Sequence, residues 1–307
     1  MIRSKEQKKR LTKSERDAKR EKIKAFIILF IASVFFAFPF IYMLGASFKS
    51  DLDLQLHPEN IFPSPGEWTL KHYGGFIWRD GKIDNFPFWI LNSLWSTLVT
   101  VGLTVILDLI TAYAVVFLKF KGKNAFVKFL MLWMAVPGVI GTTPSFAIYA
   151  SIKSSLNLTG AAAYAYIYFW MIVPCVTGIF NLLLMKNFFD SIPKDIVESA
   201  KSDGASNMKI FRRIIVPLAK STIMLIVLFT FVNSWNQLIF PQLILAGEDS
   251  SWQTITLGLL TYTGGSSWGR IGVSMASSVF ALIPTVIVFI FTQNKMIDGL
   301  ASTGIKM

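Results

Sequence analysis

The sequence is short of charge and nearly empty of the residues that hold metals or build disulfides. Only 16% of its 307 residues are charged, where soluble domains carry about a quarter. The single cysteine, Cys175, cannot close an internal bridge, so a disulfide framework is excluded and the redox compartment stays open. His57 and His72 have no His-Glu-x-x-His spacing and no cysteine partner, which argues against a metal centre. A phosphate-binding loop is missing as well. Gly299-x4-Gly304 is followed by Ile305 where that motif requires Lys, so this chain is expected to bind no ATP and no other cofactor. What is abundant is apolar: 53% hydrophobic residues, 27 of them Phe, and a mean hydropathy of +0.53. Polar surface this scarce cannot coat a globule, which excludes a soluble globular protein and, more firmly, a disordered one.

Six runs reach the roughly 20 apolar residues that a helix needs to cross a bilayer. They are Ala25–Phe48, Phe86–Leu118, Phe129–Ile152, Ser154–Met185, Ser221–Gly247 and Ile271–Asn294, and only the second holds a charged residue, Asp108. The pattern predicts an all-α membrane protein. Residues 25–307 form one six-span domain behind a basic segment, 1–24. With the N-terminus inside, the inner segments 1–24, 119–128, 186–220 and 293–307 carry 24 of the 30 Lys and Arg residues. That asymmetry puts both termini in the cytoplasm. It also accounts for the net charge of +12 without nucleic acid as a partner. The basic tail, with Lys8, Lys9, Arg10, Arg16, Lys19 and Arg20, reads as a topology anchor beside anionic lipid headgroups. The first run is too long for a signal core and has no clear small-x-small cleavage site, so it is read as an uncleaved span.

Two loops stand out. The outer one, 48–88, interleaves Pro58, Pro63, Pro65, Gly74, Gly75 and Gly81 with Trp68, Tyr73, Phe76 and Trp78, which predicts a small folded surface. The inner one, 186–220, reads as a helix–turn–helix elbow. Ser191 is the expected N-cap and Pro193 the first turn of a helix that Gly204 ends. Ser206 caps a second helix, on which Met208, Phe211 and Ile215 recur at helical spacing. Such an elbow is too short to cross a membrane. It does no chemistry alone, but it can insert into a groove on a soluble partner and be moved by it.

The run Glu198-x-Ala200-x3-Gly204-x9-Ile214-x-Val216-Pro217 resembles the EAA loop of permease subunits of bacterial ATP-binding-cassette importers. Ser199 and Val216 depart from the family pattern by small, shape-keeping changes, and Ser221 stands where many sugar permeases have a further Pro. Phe48-Lys49-Ser50, Asn92-Ser93-Leu94, Ala112-Tyr113-Ala114, Trp235-Asn236 to Phe240-Pro241, Thr254 to Leu259, and Asp298-Gly299-Leu300 through Thr303-Gly304 resemble the carbohydrate-type, maltose-like branch. The resemblance implies the type I importer permease fold in a bacterial cytoplasmic membrane. It also implies four kinds of partner: a second six-span permease, two ATPase subunits that hold ATP and Mg, an extracellular substrate-binding protein, and the lipid. ATPase coupling would then fall to Glu198, Ala200, Asp203, Gly204, Ala205, Met208, Phe211 and Pro217.

Within the membrane, Pro39, Pro137, Pro144, Pro174, Pro241 and Pro284 predict kinks, and with Gly138, Gly141 and Gly178 they suit a pathway that opens and closes. Asn233, Trp235, Asn236 and Gln237, with Asn181 and Tyr149, offer the hydrogen-bonding groups and aromatic faces that a sugar needs. The same residues equally suit interhelical bonding. Asp108 is the one acid within a span and raises the alternative of a proton-coupled secondary carrier. Within the importer class, a non-sugar cargo such as glycerol phosphate is the other alternative.

Overall fold

The computed structural model describes residues 13–79, 82–176, 178–263 and 271–304; Lys8, Lys9 and Arg10 of the basic tail lie outside them. Helix α1 (Lys13–Ala46) is followed by a small cap, then by the bundle. The cap holds α2 (Asp51–Leu56), α3 (Lys71–Gly75) and an antiparallel pair, β1 (Trp78–Arg79) and β2 (Lys82–Ile83), in register Trp78 with Ile83. The bundle begins with α4 (Phe86–Phe117), α5 (Lys123–Met134), α6 (Thr142–Leu156), α7 (Gly160–Ile172) and α8 (Ile179–Asp190). The elbow is α9 (Lys194–Ser202), α10 (Asn207–Ile210) and α11 (Val216–Leu218). It leads into α12 (Lys220–Trp235), α13 (Ile239–Ile244), α14 (Ile255–Thr263) and α15 (Ile271–Gly304).

The exterior is apolar and the interior is mixed. On α4 the buried residues are Asn92, Ser93, Ser96, Thr97, Thr100, Thr104 and Asp108 together with Trp89, Val101, Leu109, Ala112 and Tyr113, while Leu91, Leu98, Leu103, Ile106 and Ile110 face outward. Small polar residues inside let helices approach closely and bond to one another, and the bare leucines and isoleucines match hydrocarbon. On α1 the apolar residues from Phe26 to Phe36 are bare on every side; in the bundle, α1 packs on α15. Only lipid or a partner helix can cover such a surface.

Four helical stretches are long and apolar enough to span by themselves: Lys19–Ala46, Phe86–Phe117, Lys220–Ile244 and Ile271–Asn294. The third and fourth expected runs are bent pairs, α5 with α6 at 94° and α7 with α8 at 45°. The first bend exceeds a proline kink. Pro137 leaves the helix altogether, at ψ 125°, before a short 3-10 turn at Gly138–Gly141; with no N–H to donate, its ring cannot continue the hydrogen-bond ladder of α5. The start expected for the fourth run also shifts. Ser154 to Leu156 complete α6, and the chain turns at Asn157 (φ 47°) and Gly160 (φ 56°).

The loop 48–88 packs as a small folded unit around a charge that the sequence marked only as the middle of Phe48-Lys49-Ser50. Lys49 is fully buried and donates from Nζ to the carbonyls of His57 (2.5 Å) and Asn60 (3.0 Å). Buried Asp53 lies 3.7 Å from that ammonium and accepts bonds from the Ser64 hydroxyl (2.6 Å) and amide (3.2 Å). Burial works to raise its pKa, but the two Ser64 bonds and the charges of Lys49 and His57 hold the carboxyl below the usual carboxylate range. The Phe48 ring meets Tyr73, Tyr73 meets Phe76, and Phe76 contacts both Phe86 and Phe280 of α15. His72, bonded to the Lys49 carbonyl at 2.8 Å, rests on Gly272, where a Cβ would come within 2.2 Å of its ring. The segment 251–255 is tied down by α4. Asn92 donates to the carbonyls of Ser251 (2.8 Å) and Gln253 (3.1 Å), and the Ser93 hydroxyl accepts from Ile255 N–H at 2.8 Å.

Candidate functional site

The elbow is organised by one local turn. α9 ends on Asp203, and Gly204 takes φ +76°, where an L side chain costs about 1 kcal/mol. Gly204 N–H bonds to Lys201 O and Ala205 N–H to Ala200 O, each at 3.0 Å. These two nested bonds satisfy the carbonyls that a helix end leaves open. A Cβ on Gly204 would meet nothing within 4 Å, so the sign of φ, not crowding, calls for glycine. Ala200 and Ala205 supply the outer bond of this closure, and their methyls pack half-buried against the bundle.

Ser206 caps α10 as expected, accepting Lys209 N–H on its hydroxyl at 3.3 Å. Ser191 and Pro193 act differently from expectation. The Ser191 hydroxyl donates back to Phe188 O at 2.6 Å, and Pro193 occupies the N-cap of α9 instead of its first turn. The ring fixes the entry angle, so no side-chain cap is made. After α10 the chain widens over Phe211–Ile215, where Val216 N–H bonds to Phe211 O, five residues back. Such wide turns are uncommon. This one directly precedes Pro217, whose ring clashes with the carbonyl four residues earlier in a regular helix.

The elbow has two faces. Val197, Ile210 and Ile215 are buried with Leu109, Ala112 and Tyr113 of α4, Met185 and Phe189 of α8, and Ala219 and Ile226 beyond. The Tyr113 hydroxyl donates to Asn207 O at 3.1 Å while its ring meets Phe211 edge-on at 5.1 Å. Phe211 therefore binds the elbow to the bundle. Glu198, Asp203, Met208 and Pro217 face out, among Lys194, Lys201, Lys209, Arg212 and Arg213. Met208 is 56% exposed and forms, with Ile110, Tyr113, Ala114, Leu118 and Phe211, an apolar hollow of about 250 Å³. Of the predicted residues, the outer face gathers Glu198, Asp203, Met208 and Pro217, and the inner face takes Ala200, Ala205 and Phe211. Tyr113 is the residue that spacing within the elbow did not reveal; its signal lay in Ala112-Tyr113-Ala114, on another helix.

The intramembrane set does not converge. Trp235 is buried, stacks on Phe231 at 5.6 Å and donates to Ala281 O at 3.1 Å. Asn181 donates to the Thr230 hydroxyl at 3.0 Å, and Tyr149 to Ile244 O at 3.0 Å. Gln237 donates to Cys175 Sγ at 3.2 Å. Asn236 is exposed and folds back on Val232 O at 2.9 Å. Asn233 is exposed and borders a cavity of about 380 Å³ between α12 and Thr285, Val286 and Phe289 of α15.

Comparison with known proteins follows the same lines. Residues 104–297 match the family described as binding-protein-dependent transport system inner membrane component. The diacetylchitobiose uptake system permease protein DasC of Streptomyces coelicolor is 29% identical, covering 91% of this chain and 94% of that protein. The sn-glycerol-3-phosphate transport system permease protein UgpE of Yersinia pestis is 27% identical, over 90% and 95%. A solved bacterial ABC transporter involved in importing the acidic polysaccharide alginate shares the fold, with a TM-score of 0.70 and 20% identity over 92% of this chain and 98% of that one.

Proposed function

The chain belongs to the family of binding-protein-dependent transport system inner membrane components, and from that premise we propose that it is one half of a carbohydrate-translocating pathway driven through its elbow. It is a multi-pass permease of the cytoplasmic membrane and not itself an ATPase. In the proposed arrangement the spans number six, the bent pairs counting as one each, with both ends and the basic segment 1–24 in the cytoplasm. A second permease completes the pathway, two ATPase subunits each take one elbow into a cleft, and an external binding protein delivers the cargo.

One observation carries this reading: the elbow locks its apolar underside into α4, α8 and α12 while presenting Glu198, Asp203 and Met208 outward. A rigid element with a free polar and apolar face is suited to being gripped and to passing a displacement inward. Closure of the ATPases on ATP would draw the two elbows together and turn the spans. Carbohydrate as cargo is supported by the resemblance to DasC; the resemblance to UgpE supports glycerol phosphate as the second reading. In the pathway, Asn233 and Asn236 are the proposed contacts, because their side chains are exposed. Trp235, Gln237, Asn181 and Tyr149 hold the helices that carry them.

The test is co-purification and energetics together. Glu198→Lys with Gly204→Val is expected to release the ATPase subunits while the permease still inserts. Uptake into cells is expected to stop on ATP depletion and to survive an uncoupler. Uptake that survives ATP depletion and collapses with the uncoupler would support instead a proton-coupled carrier built around Asp108.

A further inference from the structure

Asp108 sits on α4 with 4% of its surface exposed, and its Oδ2 has no hydrogen-bond partner among the described residues. One turn earlier, Thr104 is fully buried and its hydroxyl is equally unpartnered. A helical threonine commonly bonds back to the carbonyl four residues before it, as Thr100 does to Ser96 O at 2.9 Å. Asp108 lines a cavity of about 230 Å³, together with Thr111 of α4, Phe126 and Leu130 of α5, and Val176, Gly178, Ile179 and Leu182. The last three of these are the N-cap and first residues of α8, a helix of 12 residues.

The first-turn N–H groups of a helix have no partner within it and carry a partial positive charge. Opposite them stands a buried acceptor with lone pairs to spare. A cation is disfavoured by the helix end, and an anion by the carboxylate. A small neutral molecule that accepts from N–H and donates to the carboxylate satisfies both, and water is that molecule. Each water takes roughly 30 Å³ in the liquid, so the cavity has room for a short chain of them.

We propose that Asp108 and the start of α8 form a hydrated site inside the membrane part of the bundle, at which ordered water ties α4 to the bend between α7 and α8. The consequence is mechanical. α8 leaves that bend at 45° and ends at Asp190, where a short turn through Pro193 joins it to the elbow. With its far end held to α4, α8 turns as a lever when the elbow is displaced, instead of unwinding its first turn. Asp108 is a positioning residue in this scheme. The lever rests on the coupling reading given above; the hydrated site does not.

The full assembly in lipid nanodiscs is exposed to a brief X-ray pulse, which makes hydroxyl radicals from bound water that oxidise adjacent side chains. Val176, only 6% exposed, faces the cavity, and Ile167, fully buried, is the dry control. Val176 is expected to be oxidised in the wild type while Ile167 is not. Asp108→Leu, which fills and dries the site, is expected to lower Val176 oxidation by about fivefold, and Thr104→Val, which keeps the carboxylate, by no more than about twofold. Val176 as protected as Ile167 in the wild type, or oxidised equally in wild type and Asp108→Leu, overturns the proposal. ATPase retention by Glu198 and Gly204 variants reads the coupling independently, so failure of one reading is distinguishable from failure of the other.

Discussion

The two ends of the bundle handle charge in opposite ways. At the cap end, Lys49 and Asp53 are withdrawn completely from solvent and every polar contact they make is to the cap's own chain. At the elbow end, Glu198, Asp203 and five basic side chains stand free on a backbone that closes its own bonds. A buried pair tolerates no rearrangement, since parting its members strands a charge. An exposed set over a self-sufficient turn can exchange water for a partner at little cost. The cap is built to keep its shape, and the elbow leaves its charged face free for the partner proposed above.

The sharpest way to break this contrast is at Lys49. Lys49→Met leaves Asp53 buried without its cation and is expected to destabilise the cap by about 3–5 kcal/mol, read as protease cleavage within 48–85 of the folded permease. Adding Asp53→Leu removes the stranded charge, and the double variant is expected to recover part of the loss. Next in size is Gly204→Val, which forces a β-branched residue to positive φ. It is expected to cost the elbow about 1–2 kcal/mol and to weaken ATPase co-purification without altering protease resistance of the cap. Tyr113→Phe keeps the ring on Phe211 and loses the bond to Asn207 O, an expected loss of about 1 kcal/mol, read as faster hydrogen exchange across α10.

A pH titration separates the two ends. The folded pKa of Asp53 is depressed, chiefly by Ser64 against an opposing burial effect. Its stabilisation is therefore fully present above the unfolded carboxylate value, about 3.9, and is lost as pH falls through the lower folded value. Cap cleavage by an acid-active protease is expected to rise only in that acid window, and Ser64→Ala is expected to move the rise to higher pH. The smallest effect belongs to Glu198→Gln. It is expected to leave thermal stability within about 0.5 kcal/mol while lowering ATPase retention, which is the signature of a residue that serves a partner and not the fold.

The features legible in the sequence were those decided within a few residues. Gly204 and Ser206 act on atoms at most five positions away, so spacing alone placed the turn and the second cap. Ser191 and Pro193 were displaced because Pro193 itself takes the capping position, leaving the Ser191 hydroxyl to close the end of α8 instead. The apolar runs marked the membrane helices and Pro137 marked a kink, but neither hydropathy nor a proline sets an angle, so the size of the 94° turn was not legible in the run that contains it. Residues whose partners are distant were read least well. Trp235 has the composition of a sugar platform and turns inward because its indole N–H meets Ala281 O on α15. Lys49 looks like an ordinary loop lysine until His57, Asn60 and Asp53 are brought around it. Asn92 and Ser93 belonged to a recognisable motif, yet their work, holding the segment 251–255 some 160 residues later, is tertiary.

The most direct test of coupling through the elbow is a photo-reactive side chain at Met208, on the exposed face, in the assembled transporter. The account predicts a covalent adduct with the ATP-hydrolysing subunit, its yield changing between nucleotide-free and ATP-bound states, and none from the same probe at buried Met185. An intact, ATPase-containing assembly in which Met208 captures only lipid or nothing would contradict it.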